Sequence, residues 1–69
     1  MPIKIKISTL LGERKMTQIE LSKRTGIRPN TISSLYSEKV KRIEITQIEA
    51  LCKALHCKVE DIFEYVEEE

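Results

Sequence analysis

The sequence predicts an all-α fold of five short helices. Apolar residues recur three and four positions apart along most of the chain, which is the spacing of one face of a helix. Leu, Ile, Glu and Lys are abundant, and there are two Gly and two Pro to interrupt helices. A chain of 69 residues is too short for two hydrophobic cores. We therefore expect one domain over residues 1–69, with helices at about residues 5–15, 18–25, 29–37, 45–56 and 59–66.

The first predicted helix, at residues 5–15, has three apolar residues on one face: Ile7, Leu10 and Leu11. The N-terminus also permits a second interpretation. Ile3 and Ile5 continue from Ile7 at a spacing of two, with Lys between them, which is typical of an extended strand. The first six residues are therefore either the approach to this helix or an extended arm that pairs with a second copy of the chain.

The second helix, at residues 18–25, has both a start and a stop signal. Thr17 followed three residues later by Glu20 is a capping-box pattern, in which each side chain accepts a hydrogen bond from a backbone N–H of the other residue. Gly26 ends the helix, because glycine readily adopts the left-handed conformation found at helix C-termini. Residues 26–28 then form a three-residue turn.

Pro29 begins the third helix, at residues 29–37, because the first residue of a helix needs no backbone N–H. Ile32 and Leu35 give this helix an apolar face. Small Ser22 in the second helix allows the two helices to approach closely. Two short helices joined by a three-residue turn that contains Gly are typical of a helix-turn-helix, a motif whose second helix enters the major groove of DNA.

The fourth helix, at residues 45–56, is predicted from five apolar residues: Ile45, Ile48, Leu51, Cys52 and Leu55. Its start has two candidate signals, a capping-box pattern at Thr46 and Glu49 and an earlier start at Glu44. The fifth helix, at residues 59–66, has two residues that are expected to face the core: Ile62 and Phe63.

The charges divide the chain into two halves of opposite sign. Residues 1–42 hold ten Lys or Arg against three Glu, a net charge of +7, whereas residues 43–69 hold two Lys against eight acidic residues, a net charge of −6. Three of the cations follow the third helix closely: Lys39, Lys41 and Arg42. The first half therefore either faces a polyanion or presents ordinary solvated helix faces, and charge alone favours neither interpretation.

The sequence argues against a membrane or secreted protein. No apolar run approaches the roughly 20 residues that span a bilayer, and lysines interrupt the N-terminal stretch where a signal peptide would be apolar. We therefore expect a cytoplasmic protein without membrane contacts. Cys52 and Cys57 are expected to be reduced thiols, since a secreted scaffold of this size usually carries more cysteines.

Catalytic and metal-binding functions also lack the residues they need. His56 lies between Cys52 and Cys57 at one helix end, but no fourth ligand completes a zinc site. This single His lies in the acidic half, far in sequence from the serines of the third helix, and there is no glycine-rich phosphate loop. We therefore expect no metal, no cofactor and no enzymatic activity.

The chain resembles the Cro and lambdoid phage repressor (XRE-type) helix-turn-helix family in three stretches: TQIELSKRTGIRPNTISSLYSEKVKRIE, LCKAL and DIFEYV. The resemblance covers about residues 5–66. It implies a compact bacterial transcription regulator, expected to be a repressor, that binds a double-stranded DNA operator sequence-specifically as a homodimer without a small-molecule effector. The alternative is a protein-interaction module, adaptor-like or antitoxin-like, that keeps the helix-turn-helix core without reading DNA.

The resemblance implies two groups of DNA contacts. The expected readers of base edges are at the start of the third helix and one turn on: Arg28, Pro29, Asn30 and Ser34. The expected phosphate ligands are at the start of the second helix and around the third: Thr17, Gln18, Thr31, Ser33, Ser37, Lys39, Lys41 and Arg42. Side-chain chemistry agrees, because Arg and Asn form paired hydrogen bonds with guanine and adenine, and cations and hydroxyls bind phosphate oxygens.

Three residues depart from the family pattern. Arg28 stands where Ser or Thr normally caps the third helix, so the first turn depends on Pro29. Glu38 stands where a Gly often follows this helix, which affects the geometry of the turn. Ser34 is short where many relatives have a long polar side chain, so few specific base contacts are expected.

Overall fold

The computed structural model describes residues 3–67, which form five helices and one two-stranded antiparallel sheet. The elements follow one another as β1 (Ile3–Ile5), α1 (Ile7–Arg14), α2 (Gln18–Thr25), α3 (Pro29–Tyr36), α4 (Ile45–Leu55), α5 (Val59–Ile62) and β2 (Phe63–Tyr65). The predicted helical fold is confirmed, with a small sheet added to it. No helix within the described residues is both long and apolar enough to cross a bilayer.

The core is built from one face of each helix, Ile5 of β1 and Ile27 of the turn between α2 and α3. Its buried apolar residues are Ile5, Ile7, Leu10, Leu11, Leu21, Ile27, Ile32, Leu35, Leu51, Leu55 and Ile62. Burying each such side chain contributes about 1.5–3 kcal/mol relative to leaving it exposed. The apolar faces predicted for α1 and α3 are confirmed. Ile45 was predicted on the apolar face of α4 but is 70% exposed, because it lies at the first position of the helix, more than a turn before Leu51.

The first helix begins at Ile7 rather than at residue 5, because the preceding residues are extended. In the sheet Ile3 lies opposite Tyr65 and Ile5 opposite Phe63. The extended conformation at the N-terminus is therefore observed, but in the structure its partner is the other end of the same chain. Alternation along the strand turns Ile5 into the core and leaves Lys4 exposed.

The fifth helix was predicted to be too long. It ends at Ile62, and the chain continues as β2 instead of a helix to residue 66. The aromatic residues of β2 favour a strand. The backbone of the N-terminal segment supplies hydrogen-bond partners, since the N–H of Lys6 donates to the carbonyl of Ile62 at 2.7 Å.

The starts of α2 and α4 are fixed by side chains. The hydroxyl of Thr17 accepts a hydrogen bond from the N–H of Glu20 at 3.1 Å, which is one half of the predicted capping box. The N-cap of α4 is Glu44, whose N–H donates to the side-chain oxygen of Gln47 at 3.1 Å. The earlier of the two predicted starts is therefore correct, and Thr46 lies inside the helix.

Three helix ends contain a residue other than glycine in the left-handed conformation: Lys15, Glu38 and His56, with φ of 51°, 59° and 51°. Each is followed by a backbone N–H that bonds back to the last turn: Met16 to Leu11 at 3.0 Å, Lys39 to Ser34 at 2.9 Å and Cys57 to Cys52 at 3.1 Å. This is the bond of a Schellman motif, which satisfies helix carbonyls and reverses the chain sharply. The left-handed conformation strains these residues, since glycine adopts it more easily.

Candidate nucleic-acid interface

The turn between α2 and α3 is held by several local hydrogen bonds. Gly26 is left-handed, with φ of 76°, and its N–H donates to the carbonyl of Ser22 at 2.9 Å. The Ser22 hydroxyl donates to the carbonyl of Ile27 at 2.5 Å, and the Ile27 side chain is buried. The turn lies at the residues predicted from the sequence. It fixes α3 rigidly relative to α2 and therefore to the core.

The start of α3 has no side-chain cap. Arg28 is the N-cap residue, its side chain makes no capping hydrogen bond, and Pro29 is the first helical residue. Both residues are exposed. The guanidinium of Arg28 is therefore not used to stabilise the helix, and it lines an open cavity of about 510 Å³ together with Thr31.

The outward face of α3 is polar. The inner face is fully buried through two residues: Ile32 and Leu35. Helical spacing places four polar residues on the opposite face: Asn30, Ser33, Ser34 and Ser37. Ser34 is half-buried, and its hydroxyl donates to the carbonyl of Asn30 at 3.1 Å. Ser33 and Ser37, predicted as phosphate ligands, thus share the face that carries the predicted base readers Asn30 and Ser34.

One flank of this face borders the basic loop after α3. An open cavity of about 750 Å³ separates them, lined on the helix by Asn30, Thr31 and Ser34 and on the loop by Lys39, Lys41 and Arg42. Six of the predicted site residues therefore surround one space. The left-handed Glu38 and the bond from Lys39 back to Ser34 turn the loop alongside the helix.

The other flank faces the N-terminus of α2. Thr17 and Gln18 line a cavity of about 370 Å³ there, and Lys15 and Tyr36 line it too. Sequence reasoning missed these last two residues. Tyr36 lies four positions after the buried Ile32, a spacing typical of a core position, and the position of Lys15 depends on its left-handed backbone. The N-terminus of α2 therefore has a cation and a phenol beside it.

The start of α4 also contributes residues that the sequence did not indicate. Glu44 and Gln47 line both the cavity beside the basic loop and the cavity that contains Arg28. The Glu44 carboxylate also accepts from the hydroxyl of Thr46 at 3.4 Å. An acidic group therefore lies within an otherwise basic and polar groove, where it opposes the approach of anions.

Some cations of the positive half point elsewhere. The Nε of Arg14 donates to the carbonyl of Leu55 at 2.8 Å, which ties the end of α1 to the end of α4. The ammonium of Lys6 lies 3.9 Å from the carboxylate of Glu64 in β2. Arg14 and Lys6 are therefore partnered within the fold, whereas Lys39, Lys41 and Arg42 line the groove beside α3.

The two cysteines lie at the other end of α4. Both are free thiols and both are partly buried against the core. Burial raises the pKa of the Cys57 thiol, and the neighbouring Cys52 adds to the rise. His56 is the exposed residue at which α4 ends. Over residues 3–67, no three Cys, His, Asp or Glu side chains are grouped where they could hold a metal ion.

Comparison with known proteins identifies the family of this chain. The profile of the Cro/C1-type HTH DNA-binding domain matches residues 6–68. The chain is also 45% identical, over all of its 69 residues and 82% of the other protein, to the uncharacterized HTH-type transcriptional regulator YozG of Bacillus subtilis (strain 168). The resemblance noted from the sequence is thereby confirmed.

Proposed function

The chain belongs to the Cro/C1-type helix-turn-helix DNA-binding domain family, and we propose that it represses transcription by inserting α3 into the major groove of an operator. DNA binding and transcription regulation follow from the family and from the similarity to a transcriptional regulator. The observation that supports major-groove reading is the polar face of α3. It borders a groove lined by three cations on one side, and through Tyr36 it borders a second groove that contains Lys15 and the N-terminus of α2. A helix in the major groove needs such flanks, because a phosphate backbone runs along each side of it.

The first turn of α3 reads the bases in this proposal. Asn30 binds the N6 and N7 edge of an adenine, Arg28 binds the O6 and N7 edge of a guanine, and the ring of Pro29 contacts a thymine methyl. Ser34 uses its hydroxyl proton on the carbonyl of Asn30, so its oxygen accepts from a base amino group. Most of the sequence preference therefore rests on Arg28 and Asn30.

The two flanks bind phosphates. On the α2 side, Gln18 and the free backbone N–H groups at the helix start face one strand. The Thr17 oxygen already accepts from Glu20, which leaves its proton for a phosphate. The remaining proposed ligands are the hydroxyls and cations on and after α3: Thr31, Ser33, Ser37, Lys39, Lys41 and Arg42.

Two considerations support repression as a homodimer: the small area that one module buries on DNA, and the length of operator that a dimer covers. A single module of this kind buries only about 600–1,000 Å² on DNA, so useful specificity usually requires two half-sites read by two subunits. A dimer that covers its operator excludes other proteins from the same DNA. Repression therefore needs no surface beyond the one that binds DNA.

Selection of binding sites from random duplex DNA tests the proposal. We expect a palindromic site whose half-sites are about 34 Å apart, or a multiple of that distance. Asn30→Ala should weaken binding by about 1–3 kcal/mol and relax the preference at one base pair in each half-site. Glu49→Ala, an exposed change on α4, is the matched control and should select the wild-type site. An unchanged site for Asn30→Ala contradicts the role of Asn30. Failure to enrich any sequence supports the protein-interaction module instead.

A further inference from the structure

Two thiols lie together at the C-terminal end of α4. Cys52 belongs to the last turn of the helix, and Cys57 is the second residue after its end. The N–H of Cys57 donates to the carbonyl of Cys52 at 3.1 Å, so the two residues are neighbours in space. Because α4 has 11 residues, this end lies about 16 Å from the helix start that borders the groove beside α3.

The left-handed conformation of His56 brings the two cysteines together. With φ of 51°, His56 reverses the chain after α4 and returns Cys57 to the surface of the helix. The residue after such a cap often makes an apolar contact with the last turn of the helix. In this chain both partners are thiols, each half-buried against the core. Packing alone needs no sulfur at either position, so the pair can also do chemistry.

The arrangement of the pair is compatible with a disulfide. Disulfide-bonded residues have Cα atoms about 4.4–6.8 Å apart, and a backbone hydrogen bond of 3.1 Å from Cys57 to Cys52 agrees with that spacing. The side chains also meet, since Cys52 acts on the Cys57 thiol both through charge and through a side-chain hydrogen bond. Neither thiol is fully buried, so a small reagent can reach them.

We propose that Cys52 and Cys57 are a modification site, which a low-molecular-weight disulfide such as oxidised glutathione converts to an intrachain disulfide. The thiolate of Cys52 attacks one sulfur of the reagent and releases its other half as a thiolate, which leaves a mixed disulfide on Cys52. Cys57 then loses its proton to solvent and attacks the Sγ of Cys52, which releases the second half. Two protein thiols are oxidised, and one reagent disulfide is reduced to two thiols. The site does not depend on DNA binding.

The surroundings of Cys57 determine the rate and the extent of this exchange. Burial, and next Cys52, raise the pKa of the Cys57 thiol; Arg14 lowers it and Asp61 raises it. A thiol that keeps its proton reacts slowly, because the thiolate is the nucleophile. The same effect favours the disulfide at equilibrium, because a pair whose reduced form is not stabilised as a thiolate is a weak oxidant. We therefore expect a bond that forms slowly and then resists reduction.

Equilibration of the full chain in buffers of reduced and oxidised glutathione tests the proposal. Intact-mass spectrometry should show a single chain lighter by two hydrogen atoms, and the tryptic peptides that contain Cys52 and Cys57 should be joined until a reductant is added. The equilibrium constant for the disulfide should be about tenfold larger in the native chain than in urea, because the fold raises the effective concentration of one thiol at the other. A native constant no larger than the constant in urea would overturn the proposal.

The matched control moves one thiol and keeps two cysteines in the chain. In the double variant Cys52→Ser, Lys53→Cys, the new thiol is next in sequence to the old one but lies at an exposed position, turned about the axis of α4. The same buffers should give this variant glutathione adducts in place of an intrachain bond. Circular dichroism and thermal unfolding should show that both chains are folded. Disulfides of equal stability in the two chains would show that closeness in sequence is sufficient, which would overturn the proposed site.

Two other products of the wild-type chain would count against the site. Glutathione held on Cys52 or Cys57 at equilibrium, without an intrachain bond, would show that the two sulfur atoms cannot approach each other in the fold. Disulfides that join two chains at low protein concentration would show that each thiol is more available to another molecule than to its neighbour. Either product would overturn the proposal and would leave the contact between Cys52 and Cys57 as packing alone.

Discussion

Glu38 and Ile5 are joined by a hydrogen bond of 2.8 Å from the backbone N–H of Ile5 to a carboxylate oxygen of Glu38, 33 positions further along the chain. The bond ties the loop after α3 to the N-terminal strand. Glu38 is left-handed, which costs a residue other than glycine roughly 1 kcal/mol. The chain thus keeps a strained glutamate at a position where glycine is easier, because its side chain satisfies a donor that is part-buried.

Substitution of Glu38 separates these two contributions. Glu38→Ala removes the acceptor and keeps the strain, so the free energy of unfolding should fall by about 1–3 kcal/mol in urea denaturation. Glu38→Gly also removes the acceptor but relieves the strain, so its loss should be smaller by roughly 1 kcal/mol. Glu49→Ala, at an exposed position of α4, should change little. A larger loss for Glu38→Gly than for Glu38→Ala would show that the left-handed strain is unimportant.

Substitution of His56 tests the same left-handed strain at a residue whose side chain makes no hydrogen bond comparable to that of Glu38. It ends α4 with φ of 51° and is exposed, remote from the grooves beside α3. His56→Gly should raise the midpoint of thermal unfolding, with a gain of up to about 1 kcal/mol in the free energy of unfolding. The matched control is Lys53→Gly, one turn earlier in the same helix, which should lower the stability by about 1 kcal/mol. Equal effects of the two glycines would contradict the left-handed assignment at His56.

Local signals were sufficient to predict α2, and non-local contacts explain what the sequence did not predict. The observed helix, Gln18–Thr25, matches the predicted residues, because Thr17 and Gly26 fix its two ends within the segment itself. The strand Phe63–Tyr65 was predicted as helix, because an apolar face at its start is compatible with either structure. The deciding contact is with Ile3–Ile5 at the other end of the chain.

Part of the candidate site was likewise expected from the sequence, and part depends on contacts that the sequence does not reveal. The family resemblance implied base-reading roles for Asn30 and Ser34, and the structure places both residues on the outward face of α3. Lys15 and Tyr36 were not assigned. Tyr36 shares a cavity with Gln18 through the packing of α3 against α2, and Lys15 does so because of its left-handed backbone. Glu44 lines the groove because α4 begins beside α3, which the sequence pattern of either helix alone does not reveal.

The Cys57 thiol should make stability depend on alkaline pH. Burial, and next the neighbouring Cys52, raise the pKa of Cys57 above its ordinary value of 9.0, and Arg14 lowers it less. The folded chain therefore holds this proton more tightly than the unfolded chain does. The resulting contribution to stability is fully present below the unfolded pKa and is lost as the pH rises through the folded pKa.

Alkylation measures this shift directly. Iodoacetamide attacks the thiolate, so native Cys57 should react more slowly at pH 9 than the same residue in urea. Trypsin separates the two thiols, since cleavage at Arg42, Lys53 and Lys58 puts Cys52 and Cys57 in different peptides. Cys57→Ser should remove this part of the loss of stability at alkaline pH. Equal rates for Cys57 in the native and unfolded chains would contradict the raised pKa.

The dependence of DNA binding on salt tests the role of the basic loop after α3. Three cations of each subunit line the groove beside α3: Lys39, Lys41 and Arg42. A dimer then neutralises about six phosphates, so the logarithm of the binding constant should fall against the logarithm of salt concentration with a slope near −5. Lys41→Ala should weaken binding to all sequences alike and reduce the magnitude of the slope by about two in the dimer.

The control for Lys41 is a cation in the acidic half of the chain. Lys58 lies at the start of α5, is exposed and is 4.0 Å from Glu60, so Lys58→Ala should leave the slope unchanged. Lys15→Ala then determines whether the α2 flank also holds phosphate, because a reduction of about two would add Lys15 to the interface. A slope near zero for the wild-type chain, with Lys41→Ala and Lys58→Ala indistinguishable, would show that the loop does not face DNA. The protein-interaction module would then be the better account of this fold.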